Sequence, residues 1–235
     1  MRNKPHSGYS LQECECGLSY VRGSEEDEKS HAKIHAEYAR GPKIAALGHL
    51  PSLSAVGELT FHAIDSSIPF EIRRKLAHVA MVAHRSIRAP SGYDGTVTKE
   101  DDNRLYILAR NSHAVAMAVT ALDSYFWKLA WGPDGQSIEA VERKALLRIG
   151  PKVARVWVAA NYRRKGLATS LIIKASEHLG VDPQTLGWEL PFTESGSAVV
   201  RKFSPAAFLG CCDAFTLSHQ VLAASSAQKN PTQSS

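Results

Sequence analysis

One segment of the sequence, residues 153–180, restricts the fold of this chain more than any other. Residues 153–159 (VARVWVA) are almost uniformly apolar, which is typical of a central strand covered on both faces. A basic turn (RRKG) occupies residues 163–166, and apolar residues then recur at helical spacing until Gly180. The apolar face consists of Leu167, Ala168, Leu171, Ile172, Ala175 and Leu179. The segment therefore predicts a buried strand, a tight turn and an amphipathic helix that packs on a sheet.

Patterns on either side of this segment predict the other elements. Residues 57–64 alternate as a strand does, and a helix begins near Pro69. The apolar face of that helix is formed by Ile72, Leu76, Val79, Ala80, Ala83 and Ile87. The further predicted strands are residues 105–109, 114–122, 125–131, 186–190, 208–212 and 214–217. A hairpin connection is predicted at residues 110–113, a loop at 88–103, and short helices within 136–148 and 195–203.

The turn before the long amphipathic helix has the chemistry of an anion site. Free backbone N–H groups and the positive end of the helix dipole meet there, and Arg163, Arg164 and Lys165 add positive charge. A side chain at Gly166 would hold the backbone away from a phosphate. No Gly-Lys-Ser/Thr ending follows, which excludes a Walker-type loop. On the pattern alone, a solvated basic helix N-terminus remains an equal alternative.

Four side chains of the types that bind zinc lie close together near the N-terminus. Cys14 and Cys16 are followed by His31 and His35, and a spacing of four places both histidines on one helical face. The surrounding segment has few large apolar groups, so a metal would fold a piece that has no core. A usual finger has at least two residues between its cysteines. Two exposed thiols with two surface histidines therefore stay open as the alternative, as does His6 as a substitute ligand.

Together these segments resemble the cohesin-establishment acetyltransferases, the Eco and ESCO proteins of the GNAT superfamily. The basic turn matches the superfamily signature Arg/Gln-x-x-Gly-x-Gly/Ala, and residues 16–35 look like the family's zinc finger. Residues 154–168 are close to the family's "SRIWV…RRKGIA", and residues 191–196 (PFTESG) are similar to its "PTESG" with one residue more. Residues 45–150 agree only in the predicted order of elements.

The resemblance implies an α+β protein with a GNAT fold, in which helices flank a mixed, mostly antiparallel central sheet. A small C2H2-like zinc finger would precede this domain. The expected boundaries are residues 1–42 for the finger, 43–54 for a linker, 55–223 for the acetyltransferase domain and 224–235 for a disordered tail.

The resemblance also implies an activity: transfer of acetyl from acetyl-CoA to a lysine side-chain amine of a protein. Attack on the thioester would be direct, which leaves Cys211 and Cys212 as core residues rather than nucleophiles. The strand before the basic turn would offer backbone groups to the pantetheine and thioester. The expected contacts of acetyl-CoA are Trp157, Val158, Arg163, Arg164, Lys165, Gly166, Leu167, Ala168, Thr169, Ser195 and Gly196, and the expected zinc ligands are Cys14, Cys16, His31 and His35.

A catalytic base is needed because a lysine ammonium, with a pKa of about 10.4, must lose a proton before it attacks. Glu189 and Glu194 are the carboxylates best placed by sequence. Capping of the next helix by Glu194, or simple solvation of both, is the alternative reading. The chain departs from its apparent relatives here, since Glu189-Leu190 replaces the Ser-Asp pair of some members and Ile173 replaces a helix glutamate.

Charge and hydropathy bear on partners and location. A formal net charge of +5 suits a protein that meets nucleotide phosphates or DNA. The sequence contains neither an apolar run of about 18 residues nor the apolar core of a signal peptide. We therefore expect no membrane partner and an intracellular protein, nuclear in a eukaryote and cytoplasmic in a bacterium or virus.

The expected partner is a protein that carries an acceptor lysine, and contact with DNA or chromatin is a further option. Two other functions stay open on the sequence. One is a zinc-finger module without enzymatic activity that binds DNA or a protein. The other is a GNAT enzyme that acetylates a small amine, such as an antibiotic or a polyamine. Salt-sensitive DNA binding without affinity for acetyl-CoA would distinguish the first of these.

Overall fold

A computed structural model of the 235-residue chain describes residues 9–87, 103–135, 137–141, 146–190 and 192–211. The chain divides into two compact units. The first unit comprises Met1–Val119 and Val156–Ala175, and the second comprises Thr120–Arg155 and Ser176–Ser235. Among the described residues, no helix is both long and apolar enough to cross a membrane.

The first unit begins with a hairpin and a helix. Strands β1 (Ser10–Glu13) and β2 (Ser19–Arg22) pair antiparallel, and helix α1 (Glu25–Arg40) follows. The hydroxyl of Ser24 caps this helix by accepting from the backbone N–H of Asp27 at 3.4 Å. Four acidic residues fill its first turn, where their charge is favourable next to the helix dipole.

The sheet of the first unit contains β3 (Ser54–Val56), β4 (Leu59–Ile64), β5 (Arg104–Arg110), the first part of β6 (His113–Trp131) and the end of β8 (Leu146–Val158). Its order is β8-β6-β5-β4-β3. The predicted hairpin is confirmed: Asn111 and Ser112 both have positive φ, 48° and 61°, as a tight two-residue turn requires.

The described part of this unit also contains two further α-helices and a short 3₁₀ helix that follows β8. Helix α2 (Phe70–Ser86) starts directly after Pro69, as predicted, and buries an apolar face that includes Leu76, Val79 and Ala83. A short 3₁₀ helix (Ala160–Tyr162) leads from β8 towards α3 (Leu167–Leu179), whose residues up to Ala175 belong here. The largest fully buried side chains of the unit are Phe61, Leu76, Leu105, Tyr106, Ile107, Leu108, Met117, Leu171 and Ile172.

The segment expected to be a linker has structure of its own. A 3₁₀ helix (Ala45–His49) buries Leu47, and the backbone N–H of Ile44 donates to the carbonyl of Ser112 at 2.8 Å. A Cβ at Gly41, where φ is 86°, would collide with the carbonyl oxygen of Ala114. Only glycine therefore allows α1 to end so close to β6.

In the second unit, β6 continues through a stretch in which buried and exposed side chains do not alternate regularly. Two separate strands were expected at residues 114–122 and 125–131, but the structure has one strand of 19 residues. Leu122 and Tyr125 are both exposed although they lie three residues apart, so this stretch does not follow the two-residue period of a regular strand. A carboxylate oxygen of Asp123 accepts from the backbone N–H groups of Ser124 (2.7 Å) and Tyr125 (3.2 Å), so both N–H groups have a hydrogen-bond partner in this irregular stretch.

The other strands among the described residues of this unit are β7 (Ile138–Ala140), the first part of β8, β9 (Gly187–Glu189) and β10 (Ala207–Cys211). β9 pairs parallel with β8 and with β10, while β10 and β7 pair antiparallel with β6. A 3₁₀ helix (Pro183–Thr185) precedes β9, and helix α4 (Glu194–Phe203), predicted at residues 195–203, lies between β9 and β10.

The prediction of a short helix within residues 136–148 is wrong for the described part of this segment. Ile138–Ala140 is a strand paired with β6, and β8 already begins at Leu146. Pairing with a long neighbouring strand outweighs a weak local pattern. The strand expected at residues 214–217, the predicted tail and nearly all of the predicted loop at 88–103 lie outside the described residues.

Candidate functional site

The four predicted metal ligands come together in the first unit. Cys14 and Cys16 lie on the connection between β1 and β2, and His31 and His35 lie one turn apart on α1. One ligand atom from each residue falls within 4.8 Å of the others, and the Sγ of Cys14 lies 3.2 Å from the Nδ1 of His35. Zinc forms bonds of about 2.3 Å to sulfur and 2.0–2.1 Å to nitrogen, so the four ligand atoms would need to move only slightly closer together to bind it.

Burial supports a metal centre over a set of exposed side chains. Cys16 is only 1% exposed, so the alternative of two surface thiols does not describe it. The buried Nε2 of His31 has no hydrogen-bond partner among the described residues. A buried nitrogen without a partner is costly unless something binds it. The donor set and its geometry therefore fit zinc.

The short spacing between the cysteines is made possible by a tight turn. The backbone N–H of Gly17 donates to the carbonyl of Cys14 at 3.0 Å, and that of Cys14 donates to Leu18 at 3.0 Å. Gly17 has a φ of 83°, and a Cβ there would collide with the carbonyl oxygen of Arg85 at the end of α2. The turn thus presents both thiols on one side while its glycine packs on α2.

The predicted anion site lies at the start of α3, also in the first unit. Arg164 and Gly166 both have positive φ, 61° and 77°. A left-handed arginine is strained, and such strain persists where the surroundings fix the backbone. A Cβ at Gly166 would meet no atom within 4 Å, so the space beside this glycine is open. The helix starts here, with Ser170 N–H donating to the Gly166 carbonyl at 3.0 Å.

The three basic side chains of this turn have different surroundings. The Nε of Arg163 donates to the carbonyl of Val158 at 3.0 Å, and its Nη1 donates to the hydroxyl of Tyr38 at 2.8 Å. The ammonium of Lys165 lies 5.3 Å from the centre of the Tyr162 ring. All three residues are exposed, but only Arg163 is held by hydrogen bonds to both Val158 and Tyr38.

The other residues expected to contact acetyl-CoA lie on three elements. Leu167, Ala168 and Thr169 form the half-buried first turn of α3. Trp157 is buried in β8, with an indole N–H that has no partner in the described part of the chain, and Val158 is the last residue of that strand. Ser195 and Gly196 lie in the first turn of α4 in the second unit.

A cluster of ion pairs surrounds Glu189 in the second unit. Its two carboxylate oxygens lie 3.2 Å from the Nζ of Lys152 and 2.9 Å from the Nη1 of Arg155. The same Nζ lies 2.9 Å from the carboxylate of Asp123. The four side chains are only 18–27% exposed, so they are largely removed from water. Two carboxylates and two cations thus neutralise one another.

The electrostatics of this cluster keep Asp123 and Lys152 charged. Burial alone would raise the pKa of Asp123, but its hydrogen bonds to Lys152 and to the backbone of Tyr125 and Ser124 hold the pKa below its usual range. Burial would lower the pKa of Lys152, yet Asp123 and Glu189 together raise it. Both groups therefore carry full charge at neutral pH.

The sequence reasoning missed Asp123, Lys152 and Arg155. A signal was available, because Arg155 interrupts an otherwise apolar strand and Asp123 interrupts an apolar run. Charged residues are rarely buried unless they are paired. The sequence could therefore have indicated that such residues have partners, though not which ones.

Cys211 lies beside this cluster. Burial raises the pKa of Cys211 to about 12, and the nearby charge of Asp123 adds to the effect. Its Sγ lies 3.4 Å from the carbonyl oxygen of Tyr125, to which it donates. A thiol that stays protonated at neutral pH is a poor nucleophile, which fits a core residue. Cys212 lies outside the described residues.

Glu194, the second candidate base, has a different setting. It is exposed in the first turn of α4, and the cap of this helix is Thr193, whose hydroxyl accepts from the backbone N–H of Gly196 at 3.1 Å. The alternative in which Glu194 caps the helix is therefore wrong. Its charge is simply favourable at the helix N-terminus.

Comparison with known proteins finds matches for both parts of the chain. Residues 9–37 match the family described as the zinc-finger of acetyl-transferase ESCO. The structure of the xEco2 acetyltransferase domain bound to a CoA conjugate matches with a TM-score of 0.57 at 14% identity, over 69% of this chain and 96% of that one. A second structure of the xEco2 acetyltransferase domain matches with a TM-score of 0.51 at 15% identity, over 69% of this chain and 95% of that one.

More distant structures include an aminoglycoside acetyltransferase from an uncultured soil metagenomic sample, in complex with sisomicin. Its TM-score is 0.36 at 8% identity, over 76% of this chain and 93% of that one. No curated protein matches the sequence. The resemblance predicted from the sequence is confirmed: residues 9–37 match the ESCO zinc finger, and the α+β fold, predicted to be a GNAT fold, is shared with the xEco2 acetyltransferase domain.

Proposed function

We propose that this chain, with its ESCO-type finger and its GNAT fold, is an acetyl-CoA-dependent N-acetyltransferase that modifies a lysine side chain of a protein. The observation that carries the proposal is the open turn at Gly166. A left-handed glycine with free space beside it, at the positive end of a helix, is suited to a closely approaching phosphate.

In this proposal, the pyrophosphate of acetyl-CoA lies on the first turn of α3. The first backbone N–H groups of a helix have no partner within the helix and are available to phosphate oxygens. The exposed side chains of Arg164 and Lys165 add charge-assisted contacts, whereas Arg163 holds the turn in shape. Backbone groups of Trp157 and Val158 serve the thioester, and Ser195 and Gly196 are further proposed contacts.

A protein lysine as the acceptor is supported by the type of finger rather than by a described acceptor pocket. The finger matches that of the ESCO acetyltransferases, and the xEco2 domain has been seen with a CoA conjugate. Zinc bound to Cys14, Cys16, His31 and His35 would supply folding energy to a segment that lacks a core. Nothing in the proposed chemistry uses the metal as a Lewis acid.

We propose Glu189 rather than Glu194 as the base. Lys152 and Arg155 hold the Glu189 carboxylate in one orientation, and about a quarter of the side chain remains exposed, to receive a proton directly or through water. The ammonium of the acceptor passes a proton to it. The nitrogen lone pair then forms the bond to the acetyl carbon, and the carbon–sulfur bond breaks. Coenzyme A leaves as the thiolate, which takes up the second proton that the nitrogen loses as it becomes an amide.

Calorimetric titration of the intact chain with acetyl-CoA tests the function. We expect saturable binding at about one site per chain, with a Kd in the micromolar to submillimolar range typical of such substrates. Absence of binding would contradict the proposal, and salt-sensitive binding to DNA in its place would favour a non-enzymatic module. Acetylation of a polyamine but of no lysine-containing peptide would reassign the acceptor to a small amine.

The role of Glu189 is tested by steady-state kinetics. Glu189→Gln is expected to lower kcat about 100-fold or more, the usual contribution of a general base, while the KM for acetyl-CoA changes little. Asp123→Asn is the matched control, because it removes the other carboxylate from the same Lys152. Similar losses of kcat in both variants would show that the ion pairs are structural. Glu194→Gln is expected to leave kcat unchanged.

A further inference from the structure

The side chain of Tyr38 connects the zinc finger to the anion site. This residue follows His35 by three positions on α1 and is only 2% exposed. Its hydroxyl accepts the hydrogen bond from the Nη1 of Arg163 at 2.8 Å, and the guanidinium lies 4.9 Å from the centre of its ring. Both interactions favour one placement of the arginine.

Aromatic rings continue this connection through both histidine ligands. The ring of Tyr20 on β2 stacks on His31 with centroids 3.9 Å apart and an angle of 8°. His31 and His35 follow at 5.4 Å, and His35 and Tyr38 at 5.8 Å. The column therefore runs from the finger hairpin past the ligand histidines to Arg163. All of its members belong to the first unit.

The finger has little besides the metal to hold this column in place. Among residues 9–40 only Cys16 and Tyr38 are buried, and Cys16 is itself a metal ligand. A segment with so small a core depends on its metal for structure. Outside the column, α1 is attached to α2 by the carboxylate of Glu37, which lies 3.2 Å from the Nε2 of His78.

The other end of the connection is the backbone of the anion site. Arg163 is fixed at two points, by the carbonyl of Val158 and by Tyr38, and it immediately precedes the strained Arg164. A left-handed arginine needs a surrounding structure that determines its conformation. The pinned guanidinium of Arg163 supplies part of that structure.

We propose that Tyr38 is a positioning residue for the acetyl-CoA turn, so that a metal-loaded finger increases the affinity for acetyl-CoA. This inference rests on the proposed function, since it concerns the same turn. Thermodynamic coupling is reciprocal, so acetyl-CoA must increase the metal affinity of the finger by the same factor. The metal thus acts at a distance, by ordering the helix that carries Tyr38.

The test measures the Kd for acetyl-CoA and the zinc affinity of the full chain. Tyr38→Phe keeps the ring but removes the hydroxyl, and we expect it to weaken acetyl-CoA binding about 5-fold with an unchanged zinc content. Tyr20→Phe is the matched control, because it removes a hydroxyl from the same column at the far end from Arg163. It should leave the Kd for acetyl-CoA unchanged.

Metal removal gives a second readout. Stripping zinc with a chelator should weaken acetyl-CoA binding in both the wild-type chain and Tyr38→Phe. The loss should be smaller in Tyr38→Phe, because this variant already lacks part of the coupling between the two sites. In competition with a chelator, acetyl-CoA should tighten zinc binding to the wild-type chain and do so less in Tyr38→Phe.

The possible failures are distinguishable. Equal acetyl-CoA affinity of the wild type and Tyr38→Phe in the loaded state, with zinc binding that does not respond to acetyl-CoA, overturns the inference and leaves the proposed function standing. A loaded wild-type chain that does not bind acetyl-CoA overturns both.

Discussion

Replacing Gly166 with glutamate is expected to weaken acetyl-CoA binding at least about 100-fold, close to complete loss in a calorimetric titration. The residue has a φ of 77°, a conformation that side chains rarely adopt. A side chain there would occupy the open space beside the turn, and its carboxylate would repel the pyrophosphate at the very point where the helix dipole attracts it. Steric and electrostatic effects therefore act in the same direction.

Gly180→Glu is the matched control for this variant. Gly180 follows the other end of the same helix, has a φ of 69° and also has no atom within 4 Å of an added Cβ. The same substitution therefore costs a similar amount of folding stability, about 1 kcal/mol, without touching the turn. We expect its affinity for acetyl-CoA to stay within about twofold of the wild type, given that distant sites act independently. Equal loss of binding in both variants would mean that helix stability, and not the turn, controls affinity.

Replacing Cys16 with serine is expected to remove zinc from the chain and to unfold the finger. The zinc content should fall from about one ion per chain to less than about a tenth, because a hydroxyl is a far poorer ligand than a thiolate. Residues 9–40 would lose their fold with it, since their only other buried residue is Tyr38. Limited proteolysis should then cut within α1, which resists cleavage in the loaded chain.

Cys211→Ser provides the comparison for this metal analysis. Cys211 is equally a buried free thiol, but it lies in the second unit beside the Asp123 and Lys152 ion pair. Its replacement should leave the zinc content unchanged. Unaltered zinc in Cys16→Ser would show that the cysteine and histidine group does not hold the metal.

Elements with a strong local pattern were predictable from the sequence. The apolar faces of α2 and α3 recur at helical spacing, and the hairpin at Asn111 is flanked by two β-rich runs. The finger was recognisable because His31 and His35 have a spacing usual for zinc ligands and two cysteines precede them, although the cysteine pair is shorter than in a usual finger. In each of these cases the information lies within about 30 neighbouring residues of the chain.

Elements that depend on distant partners were not predictable in this way. β7 exists because it pairs with β6. The irregular stretch at Asp123 connects two apolar segments that the sequence predicts as separate strands. Glu189 was identified as a candidate, but its contacts with Lys152 and Arg155 cross more than 30 positions of sequence. The bond between Tyr38 and Arg163 joins residues 125 positions apart. Local periodicity contains no information on such pairs.

The close fit of Gly41 against Ala114 has a consequence for protein engineering. Because the residue after α1 must be a glycine that packs directly on β6, the finger cannot be separated from the rest of the chain at that residue without losing this contact. In a chimera that grafts residues 9–40 onto another enzyme, Gly17 would lack the helix end at Arg85 on which it packs. Tyr38 would likewise lack Arg163, its hydrogen-bond partner. Exchange between relatives would have to move these receiving surfaces as well.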